Sequence, residues 1–266
     1  MAKGPIDLAK ARILVTNDDG INAPGLKILE KIARGLSRDV WVVAPEVEQS
    51  GAGHALTIRR PLQVRAVSKR RFAVEGTPTD CVLLALNALV DDRRPDLVLS
   101  GINRGANLGE DVHYSGTVAA AMEATLLGIP AIAMSQLRNG TQVHWGTCEA
   151  HAATVIRKLA SVAWPKGVLV NVNFPNVPAN AVTGIRAVTQ GRRVAGIEVV
   201  PVKDPVGRSY LWIGDFTSDE SAGRNTDLEA TRHGAIAVTP LHVDLTHGAT
   251  LRRLDAVFGR GRGRRR

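Results

Sequence analysis

The sequence predicts an α/β fold built on a mostly parallel sheet with helices on both faces. Three observations carry that expectation. Short apolar runs alternate with helical periodicity from Ala11 to Phe174, the rhythm of strand–helix–strand units. The strand-like runs are continuous in Val, Ile, Leu and Ala rather than alternating with polar residues, as strands buried on both faces require. A chain of 266 residues is also long enough for one large domain with a proper core.

Taken in order, Ala11–Asn17 (ARILVTN) reads as the first strand and runs into Asp18-Asp19-Gly20. Pro24–Leu36 follows, with Leu26, Leu29, Ile32, Ala33 and Leu36 on one helical face. Asp39–Ala44 is a second buried strand, stopped by Pro45. The long polar loop EVEQSGAGHALTIRRP after it carries Ser50-Gly51, and a loop of that length in a compact domain points to function. Short strands near Leu62–Val67 and Phe72–Val74 lead to Thr77-Pro78-Thr79-Asp80. There an N-cap, an N1 proline and an acidic first turn open a helix through Leu89.

Asp96–Ser100 is another buried strand and feeds the glycine-rich loop GINRGANLGEDVHYSG. Ser115 or Thr117 caps the helix that follows, which ends at Gly128 ahead of Pro130. Ile129–Ser135 as strand, Thr147–Ala163 as helix and Gly167–Phe174 as strand continue the alternation. From about Gly184 the pattern breaks into short segments punctuated by glycine and proline, which reads as hairpins extending from the core. Ala235–Leu241 is then a strand and Asp244–Phe258 a closing helix. The expected division is a core over 1–183 holding the active site, an extension over 184–234, a returning strand and helix over 235–258, and an arginine-rich tail over 259–266.

The formal charge of +9 is unevenly spread, because Arg260, Arg262, Arg264, Arg265 and Arg266 sit in that tail. Such a tail is expected to be solvated rather than folded. Nucleic acid is not an expected partner except through it, since aromatics at 4% leave little for base stacking. No apolar run is long enough to cross a bilayer, so no membrane partner is expected. The opening MAKGPIDLAKAR lacks the apolar stretch of a signal peptide, and Cys81 and Cys148 have neither disulfide-framework nor metal spacing. A cytoplasmic protein is the expectation. The sequence has no GxxxxGK[ST], no GxGxxG after the first strand and no HExxH, and it lacks a GxSxG elbow.

In an open parallel sheet, ligands collect beyond the carboxyl ends of the strands where strand order reverses. Three strand ends here carry oxygen donors: Asp18 and Asp19 after the first, Ser50 in the loop after the second, and Asn103 after Asp96–Ser100. Two carboxylates, a hydroxyl and an amide oxygen are hard ligands suited to Mg²⁺ or Mn²⁺. Adjacent carboxylates repel each other, and a cation lets both stay ionised. A lone Asp-Asp-Gly is more often a turn; its placement with Ser50 and Asn103 makes the metal reading. Asn107 and Ser115-Gly116-Thr117 supply the complementary feature, a helix start whose N–H groups and dipole favour an anion. His54 and His113, on the two candidate loops, read as acid or supporting groups.

With these residues laid out, the chain resembles the SurE family of 5′-nucleotidases, also called survival protein E or acid phosphatases. The blocks ILVTNDDGINAPGL, VVAPEVEQSGAGHALT, EGTPTDCV, SGINRGANLGEDVHYSGTVAAAMEA, NVNFP and TDLEATRHGAIAVTPLHVDLT occur in family order, and Ser100–Ala124 is the most specific. The resemblance implies a Rossmann-like core whose C-terminal hairpin and arm exchange between protomers, giving homodimers or homotetramers. It implies one divalent metal ion per subunit, Mg or Mn, on Asp18, Asp19, Ser50 and Asn103, with substrate phosphate at Asn107, Ser115, Gly116 and Thr117. The implied reaction is hydrolysis of nucleoside monophosphates; the sequence leaves 3′- against 5′-phosphates, and nucleotides against short polyphosphate, open. Asp18 or Asp19 is in addition the candidate general base, and a covalent aspartyl-phosphate is the alternative; the residues leave both open. The leader before the first strand and the arginine tail depart from the family pattern.

Overall fold

The computed structural model describes residues 4–90, 92–192, 197–216 and 223–259, so the tail arginines Arg260, Arg262, Arg264, Arg265 and Arg266 lie outside the described residues. The strands are β1 (Arg12–Thr16), β2 (Asp39–Pro45), β3 (Val64–Ser68), β4 (Arg71–Val74), β5 (Leu97–Arg104) and β6 (Ala131–Gln136). They continue with β7 (Arg138–Asn139), β8 (Gln142–Val143), β9 (Val168–Phe174), β10 (Gly184–Ala187), β11 (Ile197–Lys203), β12 (Ser209–Phe216) and β13 (Ala235–His242). The helices are α1 (Pro24–Leu36), α2 (Pro78–Leu84, prolonged by a π turn over Ala85–Leu89), α3 (Gly116–Leu126), α4 (Trp145–Ala160), α5 (Asp227–Arg232) and α6 (Gly248–Phe258).

One nine-stranded sheet runs β10-β13-β9-β6-β5-β1-β2-β4-β3. Its pairings are parallel except at β9–β13 and β3–β4. The central strands β1, β6 and the inner part of β5 are buried at every position, which is why their sequences are unbroken apolar runs. Chain order leaves β1 for β2 on one side and returns to β5 on the other. The switch point therefore lies between the carboxyl ends of β1 and β5.

The helices cover both faces. On one, Leu26, Leu29 and Ala33 of α1 and Ala152, Val155 and Ile156 of α4 pack with Ile13, Val15, Leu97 and Leu99. On the other, Cys81, Val82 and Ala85 pack beside Val118, Ala120, Ala121 and Ala124 of α3, against Leu14, Val43 and Val98. Helix α3 is buried on nearly every side. Its run of alanines lets a helix with no polar face sit between the sheet and α2. Deleting a large side chain from either layer, such as Leu26→Ala, should cost about 2–5 kcal/mol.

The predicted elements are present, with informative differences at their ends. Thr77 is the expected cap on α2, and Asp80 of the acidic first turn answers it by accepting the Thr77 N–H, a reciprocal pair. Strand β5 runs to Arg104, past the expected end at Ser100, by way of an irregularity opposite β6 between Ser100 and Asn103. Gly101, at φ +134°, makes this bend; an added Cβ would lie 2.3 Å from the Met134 carbonyl oxygen. The first residues of the 184–234 stretch, β10, join the main sheet beside β13, while β11 and β12 form a separate antiparallel hairpin. Helix α6 starts at Gly248 rather than Asp244, because Asp244 accepts the Thr246 N–H in a turn (2.9 Å) that precedes it. Among the described residues no helix is long and apolar enough to cross a membrane.

Candidate active site

The turn leaving β1 is built by its own side chains. Buried Asn17 donates from Nδ2 to the Gly20 carbonyl (3.0 Å), and the Ile21 N–H donates to Pro45 at the end of β2 (2.7 Å). Gly20 adopts φ +97°, where an added Cβ would meet the Val47 carbonyl carbon at 3.2 Å. The chain thus turns sharply under the loop after β2 and leaves Asp18 and Asp19 at the switch point.

Asp18 is 4% exposed and sits on the first turn of α3. The Thr117 hydroxyl donates to Asp18 Oδ1. A Cβ added at Gly116 would stand 2.7 Å from Asp18 Cβ and 3.0 Å from Oδ2, so the missing side chain is what lets carboxylate and helix start meet. Asp19 is only partly buried, and its Oδ2 accepts the Arg104 N–H (3.2 Å) from the end of β5. Burial drives the Asp18 carboxyl above the usual carboxylate range, against the pull of the Thr117 hydroxyl. Burial and then the charge of Asp18 push Asp19 up to about 7, with the Arg104 N–H acting the other way.

Ser50 is presented by a loop pinned along its length. The Gln49 N–H donates to the Asp18 carbonyl (2.8 Å) and the Gly53 N–H to the Tyr114 carbonyl (3.1 Å). His54 Nε2 meets Glu123 Oε2 of α3 (2.8 Å), and the Thr57 N–H donates to buried Asp80 (2.9 Å). Ser50 itself is exposed and donates to Glu48 (2.7 Å), which leaves its oxygen lone pairs for a ligand. Asn103 donates from Nδ2 to the Gly105 carbonyl (3.0 Å), so its amide oxygen is the end left to coordinate.

Asp18, Ser50, Asn103, Asn107 and Ser115 line one open cleft of about 900 Å³. Asp19 lines an adjoining hollow, and Ser50, Arg104 and Arg138 border both. The structure therefore gathers the residues expected from sequence. Gly116 and Thr117 lie beneath Asp18 rather than in the cleft wall, with the Thr117 hydroxyl already given to Asp18. Ser115, not Thr117, caps α3, accepting the Val118 N–H (3.1 Å). His54 pairs with Glu123 and neither it nor His113 lines the cleft.

The hard oxygen set fits a divalent cation. Two raised carboxyl groups side by side carry a penalty for ionisation that a bound cation would remove. Among the described residues no group of three His, Cys, Asp or Glu could hold a metal, so a cation here would also need the serine hydroxyl and the asparagine oxygen.

Sequence reasoning missed the support beneath Asn107. Its N–H donates to Asn173 Oδ1 (2.9 Å) and its Nδ2 to Ser135 Oγ (2.7 Å), while its carbonyl accepts from Asn171 (2.7 Å) and Asn173 (3.1 Å). The signal was present in VNVNF, where two asparagines interrupt a strand otherwise apolar on both faces. Arg104 and Arg138 were also missed, since lone arginines carry no spacing signal.

The chain has counterparts among known proteins. The sequence model of the family described as Survival protein SurE matches residues 13–196. A protein of Paramagnetospirillum magneticum named 5′-nucleotidase SurE is 60% identical over 253 residues, 95% of this chain and 97% of the relative. A protein of the same name from Rhodospirillum rubrum is 57% identical, over 95% of this chain and 98% of the relative. The crystal structure of SurE protein from Aquifex aeolicus superposes with a TM-score of 0.81 at 37% identity, covering 93% of this chain and 99% of that one.

Proposed function

This chain belongs to the SurE family, and we propose that it is a phosphatase of the 5′-nucleotidase type, hydrolysing nucleoside monophosphates to nucleoside and phosphate with the help of one divalent metal ion. The observation that carries the metal-dependent reading is the pair of carboxyls at the β1–β5 switch point, both raised, with Asp18 seated on the start of a helix and Ser50 and Asn103 bordering the same cleft. A pair so placed destabilises the metal-free chain and favours a cation beside a bound anion.

Asp18, Asp19, Ser50 and Asn103 would hold Mg²⁺ or Mn²⁺. When bound, such an ion neutralises phosphate charge, orients the ester and makes a nearby water more acidic. The chain's own contribution is positional. Asn107, fixed by Ser135, Asn171 and Asn173, and Ser115 at the helix start receive the phosphate oxygens. Asp18 has one oxygen engaged by Thr117 and the other packed at Gly116, which makes it the fixed member of the pair. Asp19, held by a single N–H and partly open, is the carboxylate suited to take a proton from water, at Oδ1. Arg104 and Arg138, bordering both hollows, add positive charge where the substrate enters.

The assembly proposed is a homodimer or homotetramer, with the β11–β12 hairpin and the chain's C-terminal arm exchanged between protomers. Leu211, Trp212 and Ile213 on that hairpin are each more than 65% exposed, an apolar face that a second copy would cover. The substrate range proposed includes 3′-monophosphates and short polyphosphate. A steady-state panel of mononucleotides and tripolyphosphate, with Mg²⁺ or Mn²⁺ and again after chelation, tests this reading. Phosphate release that stops on chelation and returns with metal is expected; release indifferent to chelation would rule out the metal site.

A further inference from the structure

The buried carboxylate of Asp227 lies outside the set of groups assigned above, at a junction of three segments. It is fully buried. Oδ1 accepts the Gly191 N–H (2.8 Å) and the Leu228 N–H (2.8 Å), and Oδ2 accepts the Gly109 N–H (3.0 Å). Gly109 begins the turn between Asn107 and Ser115, the segment assigned to phosphate. Gly191 precedes the β11–β12 hairpin, and Asp227 itself follows it at the start of α5. A second tie converges on the same glycine: Gln190 Nε2 donates to the Gly109 carbonyl (2.8 Å).

The fit at this junction is close. A Cβ at Gly191 would lie 2.7 Å from Asp227 Oδ1 and 2.8 Å from Leu228 Cδ1, and Gly109 holds φ +54°. The two roots of the arm are joined to each other as well. The Thr189 N–H donates to Asn225 (3.1 Å) and the Asp227 N–H to Thr189 (3.0 Å). Leu228 and Thr231 of the helix that Asp227 opens line the same cleft as Asp18 and Asn107.

We propose that Asp227, with Gln190, is a positioning residue that clamps the phosphate-receiving segment 107–115 to the root of the arm. A fully buried carboxylate with three N–H donors is a rigid joint, because each donor would be left unsatisfied if it moved away. The clamp holds the segment at Gly109 while the asparagines of β9 hold it at Asn107, so Asn107 and Ser115 are kept at a set separation. It also gives the arm a direct mechanical link to the cleft. The side chains proposed to hold the metal make their hydrogen bonds elsewhere, Asp18 with Thr117, Asp19 with Arg104, Ser50 with Glu48 and Asn103 with Gly105.

This inference rests on the phosphate assignment made above, and the test separates the two. Binding of inorganic phosphate and of Mn²⁺ is titrated on the wild-type chain and on Asp227→Asn and Gln190→Met. Asp227→Asn keeps the shape but turns an N–H donor toward a backbone N–H. Gln190→Met removes the second tie at an exposed position, and it decides the matter if Asp227→Asn does not fold. The expected result is phosphate affinity weakened about tenfold in Asp227→Asn and severalfold in Gln190→Met, the scale of a lost hydrogen bond to a buried charge, with Mn²⁺ affinity unchanged. A rise in KM without a matching loss of kcat should accompany it. Wild type that binds phosphate while folded variants bind it equally well, or variants that lose Mn²⁺ and phosphate together, would overturn the clamp alone. Wild type that binds no phosphate would overturn the phosphate assignment and the clamp with it.

Discussion

At the scale of single residues, the environment of Asp18 makes the sharpest demands. Thr117 is fully buried and gives its hydroxyl to Asp18. Thr117→Val keeps the volume and removes the donor, so Mn²⁺ affinity should fall about tenfold, while Thr117→Ser should retain it; a metal titration of both variants checks this. Asp19 gives a second prediction, with a defined sign. A carboxyl whose pKa is raised on folding costs stability at pH values above its unfolded pKa. In the metal-free chain that cost sets in as pH rises from about 4 and is complete above the folded value of about 7. Asp19→Asn should therefore raise the Tm of the chelated protein at pH 8 by about 2–4 °C per kcal/mol recovered, and should do nothing at pH 4. Metal affinity should weaken as pH falls below about 7, because protons and the cation compete for the same oxygens. A Tm difference that is equal at both pH values would refute the assignment.

At the scale of elements, the Ser50 loop, the start of α3 and the end of β5 meet at one place, and each is held by contacts remote in sequence. The His54–Glu123 contact ties the loop to α3. His54→Ala should loosen Ser50 and lower Mn²⁺ affinity severalfold, while His54→Gln, which can still reach Glu123, should restore most of it; equal affinities in both would show the loop to be fixed by Gln49, Gly53 and Thr57 alone. The elements themselves were legible in the sequence where physics is local. The α1 periodicity, the Thr77–Asp80 cap and the unbroken apolar strands each rest on neighbours a few residues away. Asp18, Ser50 and Asn103 were legible as a group because topology places strand ends together. What stayed hidden depends on partners far along the chain. The choice of Ser115 over Thr117 as cap is decided by Asp18, almost a hundred residues earlier. The bend that carries β5 on to Arg104 is set by β6, and the asparagine network beneath Asn107 comes from β9.

At the scale of the whole molecule, the hairpin and the C-terminal helix carry over half of the exposed large apolar side chains among the described residues. Leu211, Trp212 and Ile213 on the hairpin and Val257 and Phe258 on α6 are largely exposed, and α6 buries none of its residues. A face of this kind needs a partner. Trp212→Asp should shift the protein to a smaller species in sizing with light scattering, and a wild-type monomer at micromolar concentration would contradict the proposed assembly.

The central claim is that Asp18 and Asn103 hold a cation that acts on a phosphate ester. Its most direct test is Mn²⁺-dependent phosphate release from AMP by wild type, Asp18→Asn and Asn103→Ala under identical conditions. A loss of at least about a hundredfold in each variant, the scale of about 2.7 kcal/mol of transition-state stabilisation, with folding intact by circular dichroism, is the predicted result. Release unchanged by both substitutions would contradict it.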